Sequence, residues 1–227
     1  MSKGSFVSPE QRSGIRARIE PIALAMSRAG LTPNMLTLIG FGIASAGGLM
    51  AAFEWWLLAG IVATVGAGFD MFDGAVARAT GTVSRLGAFM DSTFDRWGEG
   101  VVYAGIVIGC TRAGLDVGAW LAAAALVSAF MVSYTRAKSE SLGFSSGSGM
   151  AAIGFAPREV RTVILGVALV GGGILGVSAD PVSMGSLLLL AGLGLIAVLA
   201  TITVIQRVRF VMSQPADPPG TQGEPRS

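Results

Sequence analysis

Long apolar runs separated by short polar breaks occupy the chain from residue 31 to residue 212. Asn34 to Phe53, Leu57 to Ala79, Leu86 to Cys110, Gly118 to Tyr134, Pro157 to Val177 and Met184 to Ile205 are each mostly apolar. Apolar runs of about 17–25 residues are long enough to cross ~30 Å of hydrocarbon as helices. The pattern predicts an all-α, polytopic membrane protein with six transmembrane helices. The breaks carry turn chemistry. Thr32-Pro33-Asn34 combines an N-cap residue with a proline suited to a first helical turn. Glu54-Trp55-Trp56 supplies interfacial aromatics, and Thr80 to Ser84 is a short, polar, glycine-containing turn. The fourth run is expected to continue as helix through Arg136 to Glu140, and Gly143 to Pro157 reads as a flexible Gly/Ser-rich connection.

Ahead of the first run the pattern changes. Ile15, Ile19, Ile22, Ala23 and Met26 recur at helical spacing, and Arg12, Arg16, Arg18 and Arg28 give the other side positive charge. Residues 1–30 are therefore read as a cytoplasmic amphipathic segment, either lying on an anionic membrane surface or docked on the helical bundle. They do not read as a signal peptide. Residues 31–212 form the transmembrane domain, and the Pro-rich stretch 213–227 is expected to be a disordered cytoplasmic tail.

Composition agrees with a membrane protein: of 227 residues, 52% are hydrophobic and 13% charged, against about 25% charged in soluble domains. A single cysteine, Cys110, excludes an internal disulfide, and the lack of histidine excludes His-ligated zinc or haem. Any metal must be held by oxygen, which favours magnesium, manganese or calcium. Net charge is only +2, but its distribution is informative. With six spans, every Lys and Arg falls on the side of the termini except Arg112 opposite and Arg96 within a span. The positive-inside bias puts both termini in the cytoplasm, with the protein in the cell membrane.

Against this apolar background one stretch stands out. Asp70, Asp73, Gly74, Ala77 and Arg78 close the second run; Gly87, Asp91 and Asp95 open the third. Residues three or four apart share a helix face, so a tight turn between the helices brings the carboxylates together at the cytoplasmic edge. Like charges in one place require cations or shared protons, and intramembrane ionisable groups mark function. A second constellation, Lys138, Arg158, Arg161 and Arg207, sits at the same depth on three other spans. Arg158 and Arg161 share one face at a helix N-terminus, where the dipole adds positive potential, so this is a candidate phosphate site.

The acidic stretch fits D-x2-D-G-x2-A-R-x8-G-x3-D-x3-D at all eight fixed positions, and on that motif the chain resembles the CDP-alcohol phosphotransferase family. The resemblance implies phospholipid biosynthesis by displacement of CMP from a CDP-linked lipid by an acceptor hydroxyl. By carry-over, Asp70, Asp73, Asp91 and Asp95 bind two divalent cations, magnesium or manganese, and Asp95 is also the catalytic base. Gly74, Arg78 and Ser84 contact the nucleotide and diphosphate; Thr32, Pro33, Asn34 and Met35 close over the CDP moiety. Family resemblance also suggests a homodimer.

Asp91-Ser92-Thr93-Phe94-Asp95-Arg96, Ser133 to Glu140, Pro157-Arg158-Glu159 and Gln206-Arg207 are similar to the branch that makes phosphatidylinositol phosphate or archaetidylinositol phosphate. The implied acceptor is L-myo-inositol 1-phosphate (1D-myo-inositol 3-phosphate), held by Lys138, Arg158, Arg161 and Arg207, and the implied donor is CDP-diacylglycerol. Glycerol 3-phosphate is the alternative acceptor. An ion or proton transporter is the alternative from another class, although the acidic pattern has no second copy in the chain. Membrane lipid is an expected partner, nucleic acid is not.

Overall fold

The computed structural model describes residues 21–144 and 153–214, and all regular structure among them is helical. The helices are α1 (Pro33–Ala52), α2 (Trp56–Gly68), α3 (Asp70–Ala79), α4 (Arg85–Arg112), α5 (Asp116–Ser141), α6 (Arg158–Leu175) and α7 (Met184–Met212). Thr32 caps α1, its Oγ1 accepting from Met35 N at 3.3 Å, with Pro33 as the first residue. Ser84 and Ser183 cap α4 and α7 in the same way. Each cap satisfies an amide that the helix itself leaves free.

The helices close into a ring. Following their packing, α1 contacts α2, α2 contacts α6, α6 contacts α7, α7 contacts α5, α5 contacts α4, and α4 returns to α1. Small residues set these approaches. A Cβ on Gly105 of α4 would run into the carbonyl of Gly48 on α1, and one on Gly47 would come within 2.7 Å of Ala63 N on α2. Close backbone approach of this kind is how helices associate in lipid, where no hydrophobic effect drives them together. Gly105→Ala should therefore destabilise the protein by about 2 kcal/mol, read as a lower melting temperature in detergent; Gly194→Ala, which meets open space, should not.

Outside the ring the large side chains are apolar: Leu49, Ile61, Trp120, Val127, Ile174 and Leu187 are all exposed. Only 22–39% of each candidate span is buried, so these faces meet lipid. At the end of the ring away from the acidic stretch, Arg112 pairs with Glu54 at 3.6 Å and lies over Phe53, joining the α1–α2 and α4–α5 turns.

The expected second span is interrupted. Phe69 N bonds to Gly66 O at 3.1 Å, tightening one turn and separating α2 from α3, so that Asp70 opens a helix instead of continuing one. Of the six expected spans, four are long and apolar enough by composition: Pro33–Ala52, Trp56–Ala79, Asp116–Ser141 and Met184–Met212. The other two are the helices α4 and α6, of 28 and 18 residues. Their hydropathy is lowered by the charged residues that converge inside the ring.

Residues 21–28 are helical, and Ala23 and Met26 pack with Leu36, Val76 and Phe69. This described part is thus docked on the bundle, while Ile22 is exposed. Ile15, Ile19, Arg12, Arg16 and Arg18 lie outside the described residues, as do 145–152 of the expected flexible connection and 215–227 of the expected tail.

Candidate active site

The turn between α3 and α4 is built by its own side chains. Thr80 Oγ1 bonds back to Val76 O at 2.7 Å and meets Thr82 Oγ1 at 2.8 Å, while Gly81 takes a positive φ of 67°. Beyond the turn the two helices lean on α1 more than on each other. Their divergence leaves a cleft of about 510 Å³.

Of the expected carboxylates, Asp73 and Asp91 line this cleft, and Asp70 and Asp95 line a second cavity that shares Thr37 with it. Oxygens of Asp70, Asp91 and Asp95 lie within 4.8 Å of one another, a spread that ligands on a cation at about 2.1–2.5 Å can span. Asp73 stands slightly apart. It is 5% exposed, and its Oδ2 accepts from Thr37 Oγ1 of α1 at 2.7 Å, which turns it toward the cleft wall. Three of the four expected ligands therefore form one group, and the fourth lines the cleft beside Asp91.

Arginines from α6 and α4 interleave with these acids. Arg158, the first residue of α6, pairs with both Asp70 and Asp95, the latter at 2.8 Å. One turn deeper, Arg161 is 1% exposed and makes a two-pronged contact with Glu99, 2.9 Å on each prong. Arg96 lies between, 4.0 Å from Asp95 and 3.7 Å from Glu99. Five carboxylates (Asp70, Asp73, Asp91, Asp95, Glu99) thus face four guanidinium groups (Arg78, Arg96, Arg158, Arg161), an excess of negative charge. All donors are oxygen. Such a set fits hard divalent cations such as magnesium or manganese.

The residues expected around the nucleotide line the same cleft: Thr32, Pro33, Asn34, Gly74, Arg78 and Ser84. Met35 does not; it is 45% exposed, and its amide is used by the Thr32 cap. The absence of side chains at two positions keeps the walls clear. A Cβ on Gly74 would sit 3.1 Å from the Arg78 guanidinium, and one on Gly87 would sit 3.1 Å from Ser84 Oγ.

The expected acceptor cluster is less uniform. Arg158 reaches the carboxylates, and Lys138 is exposed near the end of α5. Arg161 and Arg207 are buried and already engaged. Arg161 also donates to Ala156 O at 2.8 Å; Arg207 donates to Ile153 O at 3.1 Å and to Val132 O. They back the site and do not form an open rim with Lys138. Thr37 and Glu99 are site residues to which the sequence attached no role. Glu99 had a signal, an intramembrane acid one turn beyond Asp95; Thr37 had none.

Comparison with known proteins agrees with this geometry. The family model for CDP-alcohol phosphatidyltransferase matches residues 30–204. An archaetidylinositol phosphate synthase of Pyrococcus horikoshii is 37% identical over 202 residues, 87% of this chain and 92% of the relative. The crystal structure of the phosphatidylinositol phosphate synthase of Mycobacterium tuberculosis with CDP-DAG bound has a TM-score of 0.75 at 30% identity, covering 87% of this chain and 95% of that one. The same enzyme in complex with manganese and citrate has a TM-score of 0.71 at 32% identity, covering 87% and 90%.

Proposed function

The chain belongs to the CDP-alcohol phosphatidyltransferase family, and from that premise we propose that it transfers the phosphatidyl group of CDP-diacylglycerol to L-myo-inositol 1-phosphate, giving phosphatidylinositol phosphate and CMP. The observation that carries this reading is the meeting of Asp70, Asp91 and Asp95 with Arg158, a group that reaches the nucleotide-sized cleft through Asp91. Relatives named for inositol phosphate acceptors support the choice of alcohol. With membership in a transferase family, the transporter alternative loses its footing.

In this reading the cleft takes the CDP group. Thr32, Pro33 and Asn34 at the start of α1 close over it, without Met35, and Gly74, Arg78 and Ser84 contact nucleotide and diphosphate. Asp70, Asp73, Asp91 and Asp95 would hold two magnesium or manganese ions, which supply charge neutralisation for the diphosphate and the leaving CMP. The acceptor's phosphate lies against the basic cluster of Lys138, Arg158, Arg161 and Arg207. Arg158 is nearest the carboxylates; Arg161 and Arg207 act mainly through their field, since their donors are engaged. Asp95 takes the proton of the inositol hydroxyl. The freed inositol oxygen forms a bond to the phosphatidyl phosphorus, the bond from that phosphorus to the bridging diphosphate oxygen breaks, and CMP leaves carrying the bridging oxygen. Holding the hydroxyl beside its base and in line with the leaving group supplies much of the rate.

The same proposal includes six membrane spans, with α4 and α6 shielding their charges inside the ring, both termini and the cleft in the cytoplasm, and a homodimer. The end of the ring carrying Arg78, Arg85, Lys138, Arg158 and Arg209 is the basic one, which supports that orientation.

An acceptor panel tests the reading. Purified protein with CDP-diacylglycerol and manganese should release CMP rapidly with L-myo-inositol 1-phosphate and slowly with glycerol 3-phosphate. Faster release with glycerol 3-phosphate would move the assignment to phosphatidylglycerophosphate synthesis, and no release with any alcohol would sink it.

A further inference from the structure

Arg158 reaches Asp70 and Asp95 only because α6 begins where it does, and the segment that delivers it, residues 153–157, is not helical. One oxygen holds that segment. Phe155 N and Ala156 N both donate to Thr203 Oγ1 of α7, each at 3.1 Å. Two successive amides converging on one point form a concavity that commonly receives an anion; here a hydroxyl fills it. Thr203 is completely buried, and its own proton goes to Leu199 O at 2.8 Å, which leaves the oxygen's acceptor capacity for the two amides. Gly154, at φ 117°, lies so close to the Thr203 side chain that any Cβ there would collide with it. Arg161 and Arg207 tie the carbonyls of Ala156 and Ile153. Thr203 alone ties the amides among these contacts.

We infer that Thr203 is a positioning residue: by seating the Phe155 and Ala156 amides it fixes the start of α6 and aims Arg158 at the carboxylates. The inference rests on the phosphatidyltransferase reading for its kinetic arm. Without the hydroxyl, the buried Ala156 amide and the part-buried Phe155 amide lose their partner, the segment must shift to find one, and Arg158 moves with it. Substrate recognition should then fail selectively, at the acceptor and not at the CDP cleft, which is walled by α1, α3 and α4.

Thr203→Val keeps the shape and removes the hydroxyl; Thr203→Ser keeps the hydroxyl. In the full-length enzyme, the Val variant should lose about tenfold in kcat/KM for inositol phosphate, with the KM for CDP-diacylglycerol within about twofold, and Ser should restore most of the loss. Hydrogen–deuterium exchange over 153–160 should rise in Val and not in Ser. Gly154→Ala, pushing the segment off Thr203, should reproduce the selective acceptor defect and carries the test should Val not purify. Unchanged acceptor kinetics in Val or in Gly154→Ala, equal loss in Ser and Val, or equal loss toward both substrates would overturn the inference. If wild type transfers to no acceptor, the functional reading falls. The exchange comparison then decides the inference alone: unchanged exchange in Val overturns it, and a rise restored by Ser supports it.

Discussion

Asp95→Asn should lower CMP release at saturating substrates by at least about 10³-fold, because one substitution removes both the base for the acceptor hydroxyl and a cation ligand. Asparagine nearly matches aspartate in shape, so the packing of α4 around Phe94 and Gly98 should persist. The melting temperature in detergent should stay near that of wild type, and CDP-diacylglycerol should still bind in the cleft. Near-normal turnover would remove Asp95 from the chemistry. The contacts of Asp95 support the choice among the four aspartates. It is the one that meets both Arg158, at 2.8 Å, and Arg96, at 4.0 Å, with Asp70 and Asp91 beside it, whereas Asp73 is turned away by its bond to Thr37.

Glu99→Ala should have the largest effect on stability. Arg161 would keep its place at 1% exposure with its carboxylate partner gone, and an uncompensated buried charge costs about 3–5 kcal/mol. The protein should melt far lower in detergent or fail to accumulate. Replacing both partners together, Glu99→Leu with Arg161→Leu, should recover much of that loss, since the buried Arg161 charge goes with its partner and Arg96 keeps Asp95. The recovered protein should transfer poorly, because the ion pair one turn below Arg158 helps hold α6 against α4. A single Glu99→Ala variant as stable as wild type would show that water or another group reaches Arg161.

Much of this architecture was legible in the sequence, and the limits have a physical pattern. Apolar runs are local, so all six long helical stretches lie where the pattern predicts. The acidic motif is also local. Its spacing sets which side chains share a face, and Asp70, Asp91 and Asp95 meet accordingly. What the sequence could not convey is pairing between distant segments. Thr37 finds Asp73 from 36 residues away, Arg161 finds Glu99 across 62, and Thr203 holds amides 47 and 48 residues earlier. The turn at Phe69 was hidden for a different reason. No proline marks it, and the flanking Gly68 and Asp70 read as well in an unbroken helix; at this point Gly40 of α1 lies close against Phe69 and the Gly66 carbonyl. The basic cluster was read as one open phosphate cradle because its residues share a depth; burial divides it, leaving Arg158 on the carboxylates and Arg161 and Arg207 behind.

The closed ring also fixes an order of assembly. As the chain is synthesised, Asp70, Asp91 and Asp95 enter the bilayer about 60 residues before Arg158, a lag of several seconds at ~5–20 residues per second. During that interval the nascent protein is an open arc of helices whose acids have only Arg78 and Arg96 as internal counter-charges, and α2 has no neighbour on its far side. Only when α6 has docked on α2, and α7 has followed to join α6 to α5, does the arc close. The catalytic centre is thus completed by the late-arriving helices, and a chain halted before α6 would carry the whole acidic motif without the scaffold that makes it an enzyme.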